Sequence, residues 1–156
     1  MQNKKELTIE YVLDAPIKKV WQAWTNQEIV AKWWGPFGVS NPICNWDVKV
    51  NGKIDVLMFA GKELGNLAGN KWPMGGTFRE IVENKKLVFT TTALDNKGTI
   101  QMENLNTIVF EYKNGKTKII LNVVVLRMEP VMLKALSGME TGWSQSFDKL
   151  SELFKK

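Results

Sequence analysis

The sequence contains no histidine, and this absence excludes several kinds of catalytic site. No serine or cysteine nucleophile can be activated by a histidine base, and zinc sites with histidine ligands cannot form. The single cysteine, Cys44, can form neither an internal disulfide nor a thiolate cluster. Neither a GxxxxGK(S/T) nor a GxGxxG nucleotide motif occurs. We therefore expect no metal and no cofactor. These absences weigh against an enzyme, although a glutamate, aspartate or tyrosine could still act as an acid or base.

Arginine is also scarce, since Arg79 and Arg127 are the two arginines among 21 basic residues. Proteins that read nucleic acids favour arginine for bidentate contacts, whereas the lysines of this chain are scattered and form no basic stripe. The net charge of +5 is typical of an ordinary solvated surface. We therefore expect no nucleic-acid partner.

Long hydrophobic runs are missing as well. Apolar runs such as Val123–Leu126 are far too short to cross a bilayer. The first eleven residues, MQNKKELTIEY, lack the apolar region of a signal peptide. Together with the single cysteine, these features predict a cytoplasmic protein without membrane insertion. A length of 156 residues predicts one domain, spanning residues 1–156.

The C-terminal stretch from Pro130 to Lys155 has helical periodicity. Its apolar residues recur at intervals of three or four positions: Met132, Leu136, Met139, Trp143, Phe147, Leu150 and Phe154. This spacing predicts one long amphipathic helix with an apolar stripe. Gly138 and Gly142 lie one turn apart beside the stripe, where they allow a kink or the close approach of backbone or ligand.

The rest of the chain reads mainly as strands. Glu6–Leu13 alternates between polar and apolar residues, residues 14–34 contain two short helical segments, and Val39–Arg127 has a period of two almost throughout. Asn51-Gly52 and Asn114-Gly115 are strong hairpin turns. The predicted fold class is α+β: a curved antiparallel sheet of about seven strands around the long C-terminal helix, with two short helices after strand one.

This order of elements and several motifs resemble the START-like (SRPBCC, helix-grip) superfamily. The closest branch is the one named after the activator of the ninety-kilodalton heat-shock-protein ATPase. The most specific matching elements are Trp33-Trp34-Gly35-Pro36 and the stretch GWSQSFDKL at residues 142–150. Further matches lie at residues 14–16, 20–25, 47, 52, 73–74, 76, 79–82 and 87–90. One departure is Lys49-Val50-Asn51-Gly52, where the branch commonly has Arg-Pro-Gly-Gly.

The resemblance implies a hydrophobic cavity between the sheet and the long helix, and it implies no catalytic set. The residues that we expect to line this cavity are large apolar side chains on facing surfaces: Trp46, Val56, Met58, Trp72, Phe78, Phe89, Phe110, Leu136, Met139, Trp143 and Phe147. Aromatic side chains and easily repacked methionines are typical of ligand pockets, and they are equally typical of a filled core. The leading hypothesis is therefore binding of an apolar, aromatic or lipid-like small molecule.

Two alternatives remain open at this point. The family name raises a chaperone-interacting module, and other members of the superfamily raise a cyclase or hydrolase acting in the same cavity. Glu80 shares its predicted strand face with Phe78 and is a candidate polar group inside the cavity, where burial would raise its pKa. A solvated glutamate at a strand edge is the alternative. Cys44 shares a face with Trp46 and is interpreted as an inert, buried thiol.

Overall fold

The computed structural model describes residues 5–155. Its strands are β1 (Glu6–Leu13), β2 (Val39–Trp46), β3 (Lys53–Ala60), β4 (Lys71–Val82), β5 (Lys86–Leu94), β6 (Ile100–Lys113) and β7 (Lys116–Met128). Its α-helices are α1 (Ile17–Thr25), α2 (Gln27–Trp33), α3 (Leu133–Ser137) and α4 (Met139–Glu152). Two 3₁₀ segments occupy Lys62–Leu67 and Pro130–Met132. The first of these lies in a stretch whose composition suggests only a loop.

The seven strands form one curved sheet in the order β1-β7-β6-β5-β4-β3-β2, and every neighbouring pair is antiparallel. The chain therefore passes from one edge of the sheet to the other between β1 and β2, and α1 and α2 make this crossing. Three connections between strands contain Asn51, Asn84 and Asn114, each with a positive φ, a conformation that asparagine tolerates better than most residues. The predicted hairpin turn Asn114-Gly115 joins β6 directly to β7 and is confirmed. The predicted hairpin turn at Asn51-Gly52 is wrong, because β2 ends at Trp46 and the two residues close a six-residue connection to β3.

The concave face of the sheet and the final helix share one core. The sheet contributes fully buried side chains such as Val56, Phe89 and Leu121, and α4 contributes Phe147 and Leu150, which are also fully buried. The predicted helix-grip arrangement, in which a curved sheet holds an amphipathic helix, is confirmed. The second short helix, α2, is capped at its N-terminus by Asn26, whose side chain accepts hydrogen bonds from the backbone N–H groups of Glu28 and Ile29.

The C-terminal stretch differs from the prediction of one continuous helix. It consists of the 3₁₀ segment Pro130–Met132, then α3, then α4, and the break between the two helices falls at Gly138, with φ −95° and ψ 2°. Glycine loses the most conformational freedom in a helix, so the break occurs where helix propensity is weakest. The stripe is divided as a result, and only its second half, from Met139 onward, packs into the sheet.

Three side chains of α4 hold this helix against its neighbours. The Tyr11 hydroxyl on β1 donates a 2.8 Å hydrogen bond to the Asp148 carboxylate. Gln145 accepts a 3.1 Å bond from the backbone N–H of Phe37. Lys149 donates from its ammonium group to the backbone carbonyls of Gly35 and Pro36 in the loop after α2 and of Val39 at the start of β2, at 3.2–3.4 Å. Gln145 and Asp148 are thus both occupied by hydrogen bonds to neighbouring segments.

The Tyr11–Asp148 bond gives a prediction for the pH dependence of stability. Desolvation, and next the hydrogen bond to Asp148, raise the pKa of Tyr11 above its usual 10.0. A raised folded-state pKa means that this contribution to stability is present below pH 10 and is lost as the pH rises through the folded-state value. Tyr11→Phe should therefore lower the free energy of unfolding by roughly 0.5–1.5 kcal/mol at pH 8, and the difference from the wild type should shrink above pH 10.

Urea denaturation followed by circular dichroism at pH 8 and at pH 10.8 measures this difference. Tyr112→Phe is the matched control, because Tyr112 is 69% exposed and should change stability at neither pH. A Tyr11→Phe penalty that stays constant or grows at high pH would contradict the assignment.

Candidate functional site

A cavity of about 260 Å³ lies where the concave face of the sheet meets the junction of α3 and α4. Its walls come from the loop after α2, from β3 to β6, and from the two C-terminal helices. The lining residues are Trp34, Gly35, Pro36, Met58, Met74, Thr91, Met102, Asn104, Ala135, Gly138, Met139, Gly142, Trp143 and Ser146. Every one of these side chains is uncharged, so the cavity is suited to a neutral occupant.

Four methionines supply much of the cavity wall. Met58, Met74 and Met102 project from β3, β4 and β6, and Met139 comes from the first turn of α4. The sheet register places them together, since Met74 pairs with Ala93, and Ala93 pairs with Met102. Methionine is unbranched and polarisable, so such a wall can repack around occupants of different shape.

Two tryptophans form the wall closest to the core. The rings of Trp34 and Trp143 lie 5.2 Å apart, almost perpendicular at 84°. Gly35 follows Trp34 with φ +91°, and a Cβ atom there would lie 2.9 Å from Val39 Cγ1. The WWGP element therefore needs its glycine, because only glycine adopts this backbone easily and leaves room for Val39. Lys149 then fixes the loop to α4 through the carbonyls named above.

The floor of the cavity on the sheet side is polar. Thr91 on β5 pairs with Asn104 on β6, and both side chains line the cavity. Asn106, two residues further along β6, is fully buried and donates to the Phe89 carbonyl at 3.3 Å and to Thr91 Oγ1 at 3.1 Å. The side-chain oxygens of Asn104 and Asn106 are buried without a hydrogen-bond partner in the described chain. Buried acceptors without partners are rare, so this floor is chemically distinctive.

The predicted lining residues are divided between the cavity, the core and a neighbouring groove. Met58, Met139 and Trp143 line the cavity. Six others are buried in the core: Trp46, Val56, Phe78, Phe89, Phe110 and Phe147. The aromatic rings among them pack on one another, for example Trp46 on Phe78 at 5.3 Å and on Phe89 at 5.4 Å. These six residues therefore fill the region that the prediction left open.

The remaining two predicted residues lie beside the cavity. Trp72 is half-buried and pairs with Met58 in the sheet. Leu136 lines a groove of about 290 Å³ between β1, β7 and the start of α4, and Met139 lines both this groove and the cavity. The break at Gly138 explains the position of Leu136, because it separates α3 from the face that α4 presents to the sheet.

Glu80 does not lie in the cavity, which corrects the alternative that placed it there. A β-bulge separates Phe78, which pairs with Phe89, from Glu80, which pairs with Val88. Two residues of β4 thus oppose one residue of β5, and the side-chain alternation is reversed past the bulge. Glu80 is solvated and lies 3.4 Å from the Lys86 ammonium group. The interpretation of Glu80 as a strand-edge glutamate is the correct one.

The prediction missed Trp34, Met74, Thr91, Met102, Asn104 and Asn106. A signal for the two asparagines was available in the sequence. Phe110 and Ile108 face inward, so a strict period of two along the same strand carries the inward positions back to residues 106, 104 and 102. The polar composition of residues 95–104 concealed this, because it suggests a loop although β6 begins as early as Ile100.

Two half-buried titratable groups, Cys44 and Lys149, are not part of the cavity lining. Cys44 is half-buried, and burial raises the pKa of its thiol, which keeps the thiol protonated and unreactive at neutral pH. Burial lowers the pKa of the Lys149 ammonium group, which donates only to backbone carbonyls in the described chain. Both groups fit structural roles.

A larger surface groove of about 1070 Å³ lies between α1, α2 and the end of α4. Much of its lining is exposed and charged, including Lys19, Lys32 and Lys155. A charged lining does not suit an apolar ligand, so we regard the smaller cavity with its uncharged lining as the candidate site. Within residues 5–155, no group of three or more acidic or cysteine side chains is placed to hold a metal ion. No helix in that range is both long and apolar enough to span a bilayer.

Solved structures with the same architecture define the class of this protein. A protein from Chromobacterium violaceum matches with a TM-score of 0.82 at 20% identity, over 97% of this chain and 98% of that one. An AHSA1 protein from Silicibacter pomeroyi matches with a TM-score of 0.77 at 19% identity, over 94% of this chain and 95% of that one. At such identities the likeness shows the fold alone, a helix-grip α+β architecture.

The family is shown by the sequence itself. Residues 14–155 match the family described as "Activator of Hsp90 ATPase homolog 1-like protein", and the chain belongs to that family. No curated protein matches the chain. The resemblance inferred from the WWGP and GWSQSFDKL elements is thereby confirmed.

Proposed function

We propose that this protein binds a small apolar or aromatic molecule in the cavity between the sheet and α4. The observation that supports this function is a cavity of about 260 Å³ with four methionines, two tryptophans and no charged side chain in its lining. Ligand sites are typically concave and mostly apolar, with a few placed polar groups, and the Thr91 and Asn104 side chains match that description. Burial of the ligand's apolar surface supplies most of the binding free energy.

The size of the cavity limits the ligand. A cavity of about 150 Å³ holds benzene, and pockets for drug-sized molecules have volumes of about 300–1,000 Å³. A volume of about 260 Å³ therefore suits a molecule of one or two rings, or a short branched chain. The groove that shares Met139 offers room for a longer ligand if the Met139 side chain turns aside.

The lining favours binding over catalysis. General acid–base chemistry needs a titratable group within hydrogen-bond reach of the reacting atoms. The polar side chains of the lining are Thr91, Asn104 and Ser146, and Ser146 already donates to the Gly142 carbonyl at 3.0 Å. Such groups orient a ligand through hydrogen bonds and do not exchange protons with it at neutral pH.

Methionine methyl NMR tests this proposal directly. In protein labelled with ¹³C at its methionine methyl groups, titration with 2-methylnaphthalene should shift the signals of Met58, Met74, Met102 and Met139. The signals of Met128 and Met132, which do not line the cavity, serve as internal controls. Saturation at 100 times the dissociation constant should also stabilise the fold by about 2.7 kcal/mol.

The proposal fails if apolar one- and two-ring compounds move none of the four cavity methyl signals up to their solubility limits. It also fails if all methionine signals shift in parallel, since that pattern indicates non-specific association.

The chaperone alternative rests on the family's name, and it is tested separately by measuring the chaperone's ATPase rate with and without this protein. A rate increase without any methyl shift would favour the alternative.

A further inference from the structure

The polar floor of the cavity indicates the chemical class of the ligand, and this step rests on the proposed binding function. Asn104 on β6 and Thr91 on β5 pair directly in the sheet, and both residues line the cavity. Directly paired residues of neighbouring strands have Cβ atoms about 4.5–5.5 Å apart. One polar atom of a ligand can therefore contact both side chains.

The accessible polar atom of Asn104 is its amide nitrogen. The residue is half-buried and its side-chain oxygen is buried, whereas the nitrogen makes no hydrogen bond within residues 5–155. Exchanging the two amide atoms would bury two N–H donors without an acceptor in place of one carbonyl oxygen, and buried N–H groups without partners are the rarer case. Asn104 therefore presents a hydrogen-bond donor to the cavity.

Thr91 supplies a second donor beside the first. Its hydroxyl oxygen already accepts a 3.1 Å hydrogen bond from the amide nitrogen of Asn106. That nitrogen also donates to the Phe89 carbonyl, which can only accept, so the direction of the bond to Thr91 is fixed. The hydroxyl hydrogen of Thr91 has no acceptor in the part of the chain that the structure describes. Asn106 thus acts as a positioning residue for a floor that offers two donors.

The acceptors on the adjoining loop wall are already in use. The backbone carbonyls of Trp34, Gly35 and Pro36 accept hydrogen bonds from the side chains of Asn41 and Lys149 at 2.9–3.4 Å. The methionine sulfurs of the lining are only weak acceptors. A ligand that brings a donor of its own therefore finds no strong acceptor at the floor or on this wall.

We propose that the ligand is a neutral carbonyl compound, such as an aryl ketone, whose oxygen accepts hydrogen bonds from the Asn104 amide and the Thr91 hydroxyl. A carbonyl oxygen has two lone pairs and no hydrogen, so it matches two donors. A hydrocarbon leaves both donors unpaired, and an alcohol adds a third donor. A carboxylate is also an acceptor, but the uncharged lining contains no cation to offset the loss of its hydration.

Three probes with the same two-ring skeleton test this class by isothermal titration calorimetry: 2-acetonaphthone, the alcohol 1-(2-naphthyl)ethanol and the alkene 2-isopropenylnaphthalene. The ketone should bind the wild type about tenfold more tightly than the alcohol or the alkene, because only the ketone pairs both donors without adding another. In Asn104→Leu, the affinity for the ketone should fall about tenfold, and the alkene should bind at least as tightly as the ketone.

Infrared spectroscopy of bound 2-acetonaphthone gives a second measurement that needs no variant. In the wild type, the carbonyl stretching band should lie at a lower frequency than in a hydrocarbon solvent, because hydrogen bonds weaken the C=O bond. The shift should shrink in Asn104→Leu and in Thr91→Val. Asn45→Leu is the matched control, since it makes the same substitution at an exposed position of β2 outside the cavity lining. It should change neither the affinities nor the band.

Equal affinities of the wild type for the ketone and the alkene would overturn the carbonyl assignment and leave the binding function intact. Tighter binding of the alcohol than of the ketone, or a bound carbonyl band at its hydrocarbon-solvent frequency, would have the same consequence. If none of the three probes binds, the proposed function itself fails.

Discussion

Replacing Trp24 by alanine should lower the free energy of unfolding by about 3–5 kcal/mol, the range found for large aromatic residues in cores. Trp24 is fully buried on α1. Its ring packs against five other aromatic rings: Trp33 at 4.7 Å, Phe147 at 6.1 Å, Phe110 at 6.3 Å, and Phe89 and Trp143 at 6.4 Å. Two of these rings lie on the sheet, one lies on α2 and two lie on α4. The substitution therefore removes packing contacts to the sheet, to α2 and to α4 at once, and the melting temperature should fall by roughly 6–20 °C.

Guanidinium denaturation followed by far-UV circular dichroism measures this loss. Trp21→Ala on the same helix is the matched control, because Trp21 is only half-buried and packs on one aromatic ring, that of Phe110 at 5.2 Å. Trp24→Phe should cost less than Trp24→Ala, in part because it removes an indole N–H that is buried without a partner in the described chain. Equal losses for the Trp21 and Trp24 alanine variants would contradict the central position given to Trp24.

The architecture was predictable because local patterns and the global fold agree. The period of two in the strands, the asparagines in the turns and the apolar stripe of the final helix each point to one sheet holding one helix. The stripe could not show where the helix breaks. Gly138 and Gly142 are equivalent in a periodicity plot, yet the chain leaves helical geometry only at Gly138, where α3 ends over the cavity instead of packing into the core.

The site was harder to predict, since alternation along a strand holds only while the register is regular. In β4 the bulge after Phe78 turns Glu80 outward, and nothing in the local composition indicates it. In β6 the alternation does hold, and it brings Asn104 and Asn106 inward despite their polarity. A polar residue at an inward position conflicts with the pattern of a core, and such conflicts are expected at functional sites.

The number of aromatic residues was a poor guide to the cavity for a related reason. Large rings on facing surfaces fill space efficiently, so Trp46, Phe78 and Phe89 close the middle of the sheet–helix interface. The interface stays open at the α3–α4 junction, where glycine, alanine and methionine face the strands. Small and flexible residues thus mark the cavity better than large aromatic residues do.

Filling that opening from the helix side should abolish ligand binding while preserving the fold. Gly142 lies inside α4 and lines the cavity, and a Cβ atom built there meets no atom within 4 Å. In Gly142→Leu, a side chain of four carbons would occupy the space that the proposed ligand needs. We expect the affinity for 2-methylnaphthalene to fall at least a hundredfold and the methyl shifts of Met58, Met74, Met102 and Met139 to disappear.

Gly142→Ala distinguishes the effect of a smaller cavity volume from the effect of a higher helix propensity at residue 142. Both substitutions remove a helix-interior glycine, which costs about 1 kcal/mol relative to alanine, so the alanine variant should be more stable by up to that amount. Its single methyl group leaves most of the cavity open, and the alanine variant should still bind 2-methylnaphthalene. If Gly142→Leu is folded and binds as well as Gly142→Ala, the ligand does not occupy this cavity. Loss of binding in the leucine variant alone would place the ligand against α4, because the two proteins differ only in the volume that projects from residue 142.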